Sequence, residues 1–268
     1  VVRGNHVYGL RYGLHYMFCD RNVFTDNLFE RNVAGAVIMY SHHIRLVRNA
    51  FVKNRGFSSY GVLFQACRRC QAEENLILNN AVGISMEDLG ASEFSRNVIA
   101  GNDVAIQMFS SSRENRFWQN NFILNLSPML LIGAPTNTQW CVAGTGNYWS
   151  EYRGYDFDLD GVGDVPYRIQ NLYEQLESAF PRLRLFFGSP TAQALVAAEQ
   201  AFPIFNRVSE VDPCPLLRPV PLAVKIPQRE QLGRNLGAAL WPTLGLLSLS
   251  TSIWFFSRSK HRARAPRS

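Results

Sequence analysis

The sequence is short of charge, and the little it has is concentrated at one end. Charged residues are 18% of 268, and of the formal +6 five positives belong to Arg258, Lys260, Arg262, Arg264 and Arg267. Without that tail the body is close to neutral at +1, a balance that argues against the basic stripe a nucleic-acid binder needs. An initiator Met and an export signal are also missing. The chain opens on Val1 in mid-pattern and reads as the C-terminal part of a longer protein. Hydrophobic residues at 47% exclude a disordered chain, and the length suffices for a large core.

What is present is a repeat, which decides the fold class before anything else. An Asn followed five residues later by another recurs as Asn27/Asn32, Asn49/Asn54, Asn75/Asn80, Asn97/Asn102 and Asn120/Asn125, with Asn5 one period upstream. The first members stand 22, 26, 22 and 23 residues apart. A small residue follows each second Asn slot, at Gly35, Gly61, Gly83 and Ala105, and Gly13 holds the equivalent place. The spacing of Gly61 carries four extra residues within 55–60, as a turn insertion would. After each small residue comes an apolar stretch too short for a helix.

A period near 22 with three strand-sized pieces predicts an all-β fold, a right-handed parallel β-helix whose coils stack about 4.8 Å apart. The Asn residues are expected at turns, tolerating left-handed backbone and hydrogen-bonding along the stack. Counting from the small residue, the first column (Leu14, Ala36, Val62, Ile84, Ile106) and the third (Tyr16, Ile38, Phe64, Met86, Met108) point inward. The second (His15, Val37, Leu63, Ser85, Gln107) and fourth (Met17, Met39, Gln65, Glu87, Phe109) point outward.

The outward columns carry a single carboxylate, Glu87, with Asp88 at the strand end. Glycoside hydrolysis needs two carboxylates at a set separation, so the face does not read as an enzyme. It reads as soft. Met17 and Met39 share a column on adjacent coils, His15 points the same way, and His42 and His43 follow the strand holding Met39. Thioether with imidazole suits copper(I). The plainer account is that these Met pack beneath a partner and the two His are turn residues in water. Cys67-Arg-Arg-Cys70 has CxxC spacing but no second pair to complete a zinc site. A local disulfide or two unreacted thiols accounts for it. Cys19 and Cys67 lie two coils apart, beyond disulfide reach, and Cys141 and Cys214 are solitary in sequence.

After the coils, Asp156, Asp158 and Asp160 alternate, followed by Gly161 and Asp164. This copies the first half of a calcium loop, but Tyr167 stands where an EF-hand needs Glu. A rigid Asp/Gly turn closing the solenoid is the alternative. Gly146-Asn147-Tyr148-Trp149-Ser150, the run from Tyr155 to Asp164 and Val165-Pro166-Tyr167 resemble the segment that closes the β-helix of the NosD family. Ser189-Pro190, Glu199 to Pro203 and Asp212-Pro213 to Pro219 are similar to that family's C-terminal region, so the resemblance spans roughly residues 1–220. It implies a periplasmic, non-catalytic protein that helps assemble the copper sites of nitrous-oxide reductase. It also implies docking on the membrane and ATPase subunits of an ABC transporter and receipt of copper from a chaperone. It assigns no metal ligand.

Further on, Thr191 to Phe202 reads as a helix ended by Pro203, and the five prolines between Pro213 and Pro227 as an extended linker. Leu236 to Phe256 is 21 residues without a charge, flanked by Trp241 and Trp254 and followed by the basic tail. That predicts a transmembrane helix with the tail in the cytoplasm and the coils outside. The expected organisation is therefore coils over 1–143, a closing segment over 144–188, helix and linker over 189–235, the span over 236–256 and the tail over 257–268. The competing functions are a cell-surface carbohydrate-active or carbohydrate-binding β-helix, and a structural adaptor whose Met patch is an interface.

Overall fold

A computed structural model of the chain describes residues 1–169 and 210–222, together with 189–191 and 194. The repeat folds into a right-handed parallel β-solenoid of three sheets. The long sheet stacks Tyr12–Met17, Ala34–Met39, Tyr60–Arg68, Val82–Gly90, Val104–Phe109 and Ser127–Ile132 in chain order. Two short-stranded sheets form the other faces, one running from Val2–Arg3 to Arg116–Trp118, the other from His6–Tyr8 to Tyr148–Trp149. Every pair within these three sheets is parallel and in the register the repeat sets, for example Leu14↔Ala36 and Ile84↔Ile106.

The inward columns form the core. Ala36, Ile38, Val62, Phe64, Ile84, Met86, Ile106 and Met108 are all 1% exposed or less. The short sheets add stacked rings inside the same core, Phe29 on Phe51 at 5.3 Å and Phe94 on Phe117 at 4.4 Å. The small-residue slot is tight for a specific reason. A Cβ on Gly35 or Gly61 would stand 2.5 or 2.6 Å from the carbonyl oxygen of the next coil's slot residue.

The Asn columns do something different from what their turn propensity suggests. The left-handed residue is the one before each Asn: Asp26, Arg48, Glu74, Arg96 and Gln119 precede the first column with φ of 52–55°. Arg31, Lys53, Asn79, Gly101 and Leu124 play that part before the second. The Asn side chains instead turn inward and, apart from Asn5 in the first coil, are buried. Asn5, Asn27, Asn49, Asn75, Asn97, Asn120 and Asn147 donate each to the next through Nδ2–H···Oδ1 bonds of 2.8–3.1 Å. Asn54, Asn80, Asn102 and Asn125 form a second such ladder at 2.9–3.1 Å. Each amide also serves backbone groups that the sharp corner leaves without strand partners, as Asn75 does for the Leu46 carbonyl at 2.8 Å and the Asn49 amide at 2.9 Å.

The first ladder ends on a carboxylate. Asp212, fully buried, accepts from the Asn147 amide (2.8 Å), Asn147 Nδ2 (3.1 Å), Trp149 Nε1 (3.0 Å) and the Cys214 amide (3.0 Å). Residues 210–222 are thus part of the solenoid's closure. The extended-linker expectation fails over this stretch, because prolines leave carbonyls free to accept while their neighbours supply the amides. The Gly163 amide donates to the Pro215 carbonyl at 2.7 Å, and the Leu216 amide to the Asn147 carbonyl at 2.8 Å. Cys141 and Cys214 form a disulfide across 73 residues, pinning the closing strand. Such a loop is worth roughly 2–4 kcal/mol. Glu210, also buried, accepts from Trp140 Nε1 at 2.8 Å.

Burial raises the Asp212 pKa above the ordinary carboxylate value, against the lowering effect of its hydrogen-bond donors. The folded form therefore holds this proton more tightly than the unfolded chain does. Its contribution to stability is fully present below the unfolded pKa and lost as pH rises through the raised value. Urea midpoints compared for the native chain and Asp212→Asn are expected to lose this component of the pH slope in the variant. An unchanged slope would show that Asp212 does not take up a proton on folding.

Among the described residues no helix is long and apolar enough to cross a membrane. The expected span at 236–256 and the basic tail lie outside the described residues, as does nearly all of the expected helix at 191–202.

Candidate functional site

The Met and His residues singled out from sequence occupy the first two coils of the long sheet. Met17 and Met39 are paired in register, as are His15 and Val37. Their inward neighbours are Tyr16, half-buried, and Ile38, wholly enclosed. Met17 and Met39 themselves are half-buried and His15 is exposed, packed on the Tyr12 ring at 5.0 Å. The outward columns are less open than their register suggests: Val37 is 5% exposed, and Ser85, between Leu63 and Gln107, not at all.

His42 and His43 stand apart from that face, on the corner beyond Met39. His43 holds a left-handed backbone with φ 57°. His42 is fixed by Asp20, whose Oδ1 accepts from the His42 amide at 2.6 Å and lies 3.3 Å from the ring Nδ1. These hydrogen bonds, the backbone one first, hold the Asp20 carboxyl below its usual pKa. The contact engages Nδ1 and leaves Nε2 as the free ring nitrogen, the arrangement by which a carboxylate orients a metal-binding imidazole.

The same corner carries features that the soft-ligand reading overlooked. Phe18 and Tyr40, both exposed, stack at 4.9 Å and 6° on consecutive coils. Cys19 is an exposed free thiol, while Cys67 and Cys70 are free and buried at 0% and 1%. The Cys67 pKa is lowered and that of Cys70 strongly raised, in both cases chiefly by the hydrogen bond between the two thiols. Cys67 Sγ also reaches the Ile38 carbonyl at 3.4 Å, directly before Met39.

Glu87 accepts from Gln65 Nε2 at 3.0 Å, and burial raises its pKa. Asp88 turns away with φ 54° to pair with Arg68 at 2.6 Å. Among the described residues this face therefore presents no facing pair of carboxylates.

At the other end, Asp156, Asp158 and Asp164 bring carboxylate oxygens within 4.8 Å of one another. Asp156 Oδ1 is shielded and accepts no hydrogen bond, while its Oδ2 takes the Gly161 amide at 3.0 Å, with Gly161 at φ +88°. Asp160 does not join them. Its Oδ1 accepts from the Val162 amide at 2.6 Å, and its charge is the main cause that raises the Asp158 pKa.

The model of the NosD family, described as a periplasmic copper-binding protein, matches residues 1–154. Two curated relatives bear the name probable ABC transporter binding protein NosD. The one from Pseudomonas aeruginosa is 34% identical over 122 residues, 46% of this chain and 28% of the relative. That from Stutzerimonas stutzeri is 32% identical over 115 residues, 43% of this chain and 26% of the relative. The chain thus spans about a quarter of the length of the curated relatives it matches. The description of the family names binding and no reaction.

Proposed function

The chain belongs to the NosD family, and on that footing we propose that it is a non-catalytic accessory protein for assembling the copper sites of nitrous-oxide reductase. It works outside the cytoplasm beside an ABC transporter, receiving copper from a chaperone and passing it to the reductase. The observation that carries the reading is the in-register Met17–Met39 pair with His15 beside it, on the solvent side of a solenoid matched by a copper-binding family. Met17, Met39 and His15 would hold copper(I), with His42 and His43, just past the strand that holds Met39, as further imidazoles. The ion is cargo here, so moderate affinity and an exposed face serve transfer better than a closed site. The Cys141–Cys214 disulfide fits an oxidising compartment. The segment 236–256 would anchor the protein to the membrane that houses the transporter.

Isolating the reductase from cells deleted for this protein tests the role. The reductase is expected to lack copper. A copper-replete, active enzyme from those cells would refute the accessory function.

The Asp loop is proposed as a calcium site closing the solenoid. Its donor set fits a hard ion, and the unpartnered Asp156 Oδ1 supplies a ready oxygen. Calcium is expected to raise the melting temperature of the native chain and to have no effect on Asp156→Asn. Equal response of both would remove the site. The carbohydrate-binding alternative gains no support from the described face.

A further inference from the structure

The Asp loop has a second face, which the calcium reading leaves unused. From Tyr155 to Asp160 aspartates alternate with large apolar residues, and the turn keeps the two sets apart. Asp156 accepts from the Gly161 amide, Asp160 from the Val162 amide and Asp164 from the Phe157 amide, at 3.0, 2.6 and 2.7 Å. These bonds hold the turn closed, and the apolar residues between them stand in solvent. Tyr155, Phe157 and Leu159 are 65%, 81% and 86% exposed. Nowhere else among the described residues do three large apolar side chains stand exposed within five positions.

The fold gives this tip a firm mount. The Leu217 amide donates to the Gly161 carbonyl at 3.1 Å, beside the Gly163–Pro215 bond, and Val162 forms an antiparallel bridge with Leu216. Cys214, at the start of that segment, is tied to Cys141. Across the base of the loop the Tyr152 hydroxyl donates to the Val165 carbonyl at 2.6 Å.

A contiguous exposed apolar patch marks a contact with something apolar. Aromatic rings, one of them with a phenol hydroxyl, suit the headgroup level of a bilayer, where an apolar body meets a polar edge. The sequence favours that surface over a protein groove. The uncharged stretch expected to span a membrane begins at Leu236, 14 residues after Leu222. Charge then selects the lipid. Between residues 151 and 164, Glu151, Asp156, Asp158, Asp160 and Asp164 stand against Arg153 alone. An anionic headgroup layer repels such a loop, whereas a zwitterionic one offers it ammonium groups.

We propose that Tyr155, Phe157 and Leu159 dock the closing end of the solenoid on a zwitterionic phospholipid bilayer. The three side chains enter the boundary between headgroups and acyl chains. Exposed Asp160, which stays outside the three-carboxylate cluster, meets the headgroup ammonium. The docking needs neither copper nor calcium; only the choice of membrane rests on the proposed place beside a transporter.

The test reconstitutes the full, disulfide-intact chain in vesicles of phosphatidylethanolamine and phosphatidylcholine. These carry a photoactivatable phospholipid whose reactive group sits at the top of the acyl chain, and EGTA is present throughout so that calcium plays no part. After illumination, trypsin releases the loop as Gly154–Arg168 and, for comparison, Gly56–Arg68 with Phe57, which is 95% exposed on another turn. Mass spectrometry should find lipid adducts on the first peptide and not on the second, and fewer when phosphatidylglycerol replaces the zwitterionic lipids. Tyr155→Ser/Phe157→Ser/Leu159→Ser should lose the adducts while melting with the native chain, since its three sites are exposed. A loop without adducts in the zwitterionic vesicles would overturn the docking and leave the tip to a protein partner. Adducts undiminished in the serine variant would overturn the assignment to these side chains. An equal or greater yield in phosphatidylglycerol would overturn the headgroup match. A missing calcium response in thermal melts with the adducts intact would remove the calcium site alone.

Discussion

Replacing Asn75 with Leu is expected to unfold the solenoid or to leave it barely stable. Asn75 Nδ2 donates to the Leu46 carbonyl and to Asn97 Oδ1, at 2.8 and 3.0 Å. Its Oδ1 accepts from the Asn49 amide and Asn49 Nδ2, at 2.9 and 3.1 Å. Leu is close in size and would fit the space, so packing is not the issue. Four buried hydrogen bonds would be lost at roughly 0.5–1.5 kcal/mol each, with the Asn49 amide left unpartnered, while Asn97 Oδ1 keeps the Asn75 amide and Asn49 Nδ2 keeps the Phe24 carbonyl. A total of about 2–6 kcal/mol is a large part of a domain's stability. Chemical denaturation monitored by far-ultraviolet circular dichroism checks this. A midpoint within experimental error of the native chain would show that the ladder is not structural.

Gly61→Val is the second large effect, through sterics alone. The added Cβ would meet the Gly83 carbonyl oxygen at 2.6 Å, Asn80 Nδ2 at 3.0 Å and Ile77 Cγ2 at 3.1 Å. The first is backbone in the next coil and cannot swing aside, and the second belongs to the Asn ladder. Relief requires the coils to separate locally, at a cost of about 3 kcal/mol or more. Gly56→Val, in the turn just before, has a Ser side chain as its nearest neighbour at 3.2 Å, but its φ of +152° adds strain of its own. The cleaner comparison is therefore Ser85→Val on the same sheet, in an enclosed column that already takes Val37 and Leu63 in earlier coils. Thermal melts should rank Gly61→Val well below Ser85→Val, and the reverse order would refute the slot explanation.

These two columns explain why the coils were legible in the sequence. A ladder needs the same amide at the same place in every coil, and the slot needs a residue without bulk, so both constraints repeat with the coil period. The inward columns follow from strand alternation once that period is known. The left-handed residues were not legible. Asp, Arg, Glu, Lys and Gln fill that position, because the Asn ladder fixes the corner and the preceding side chain faces solvent, free to vary.

The closure was hidden for a different reason. Asp212, Glu210 and Cys214 act once each, and they reach back 60 residues or more to Trp149, Trp140 and Cys141. No periodicity announces such a pairing. The available signal was weak: two cysteines, Cys141 at the end of the coils and Cys214 beyond the Asp loop. The soft face was visible as residue types in register. The corner position of the two His was one of the readings the sequence offered, whereas the stacking of Phe18 on Tyr40 there needed the geometry of the turn.

The claim on which the rest depends is that the outer Met17–Met39 column with His15 takes up copper(I). Anaerobic competition of the full chain against a chromophoric copper(I) chelator tests it most directly, using Cys19→Ser/Cys67→Ser/Cys70→Ser as background so that free thiols do not contribute. One equivalent should be bound there, and adding Met17→Leu, Met39→Leu and His15→Ala should weaken it roughly 100-fold or more, equivalent to about 2.7 kcal/mol. An unaltered affinity after all three replacements, or no uptake at all by the background chain, would contradict the account.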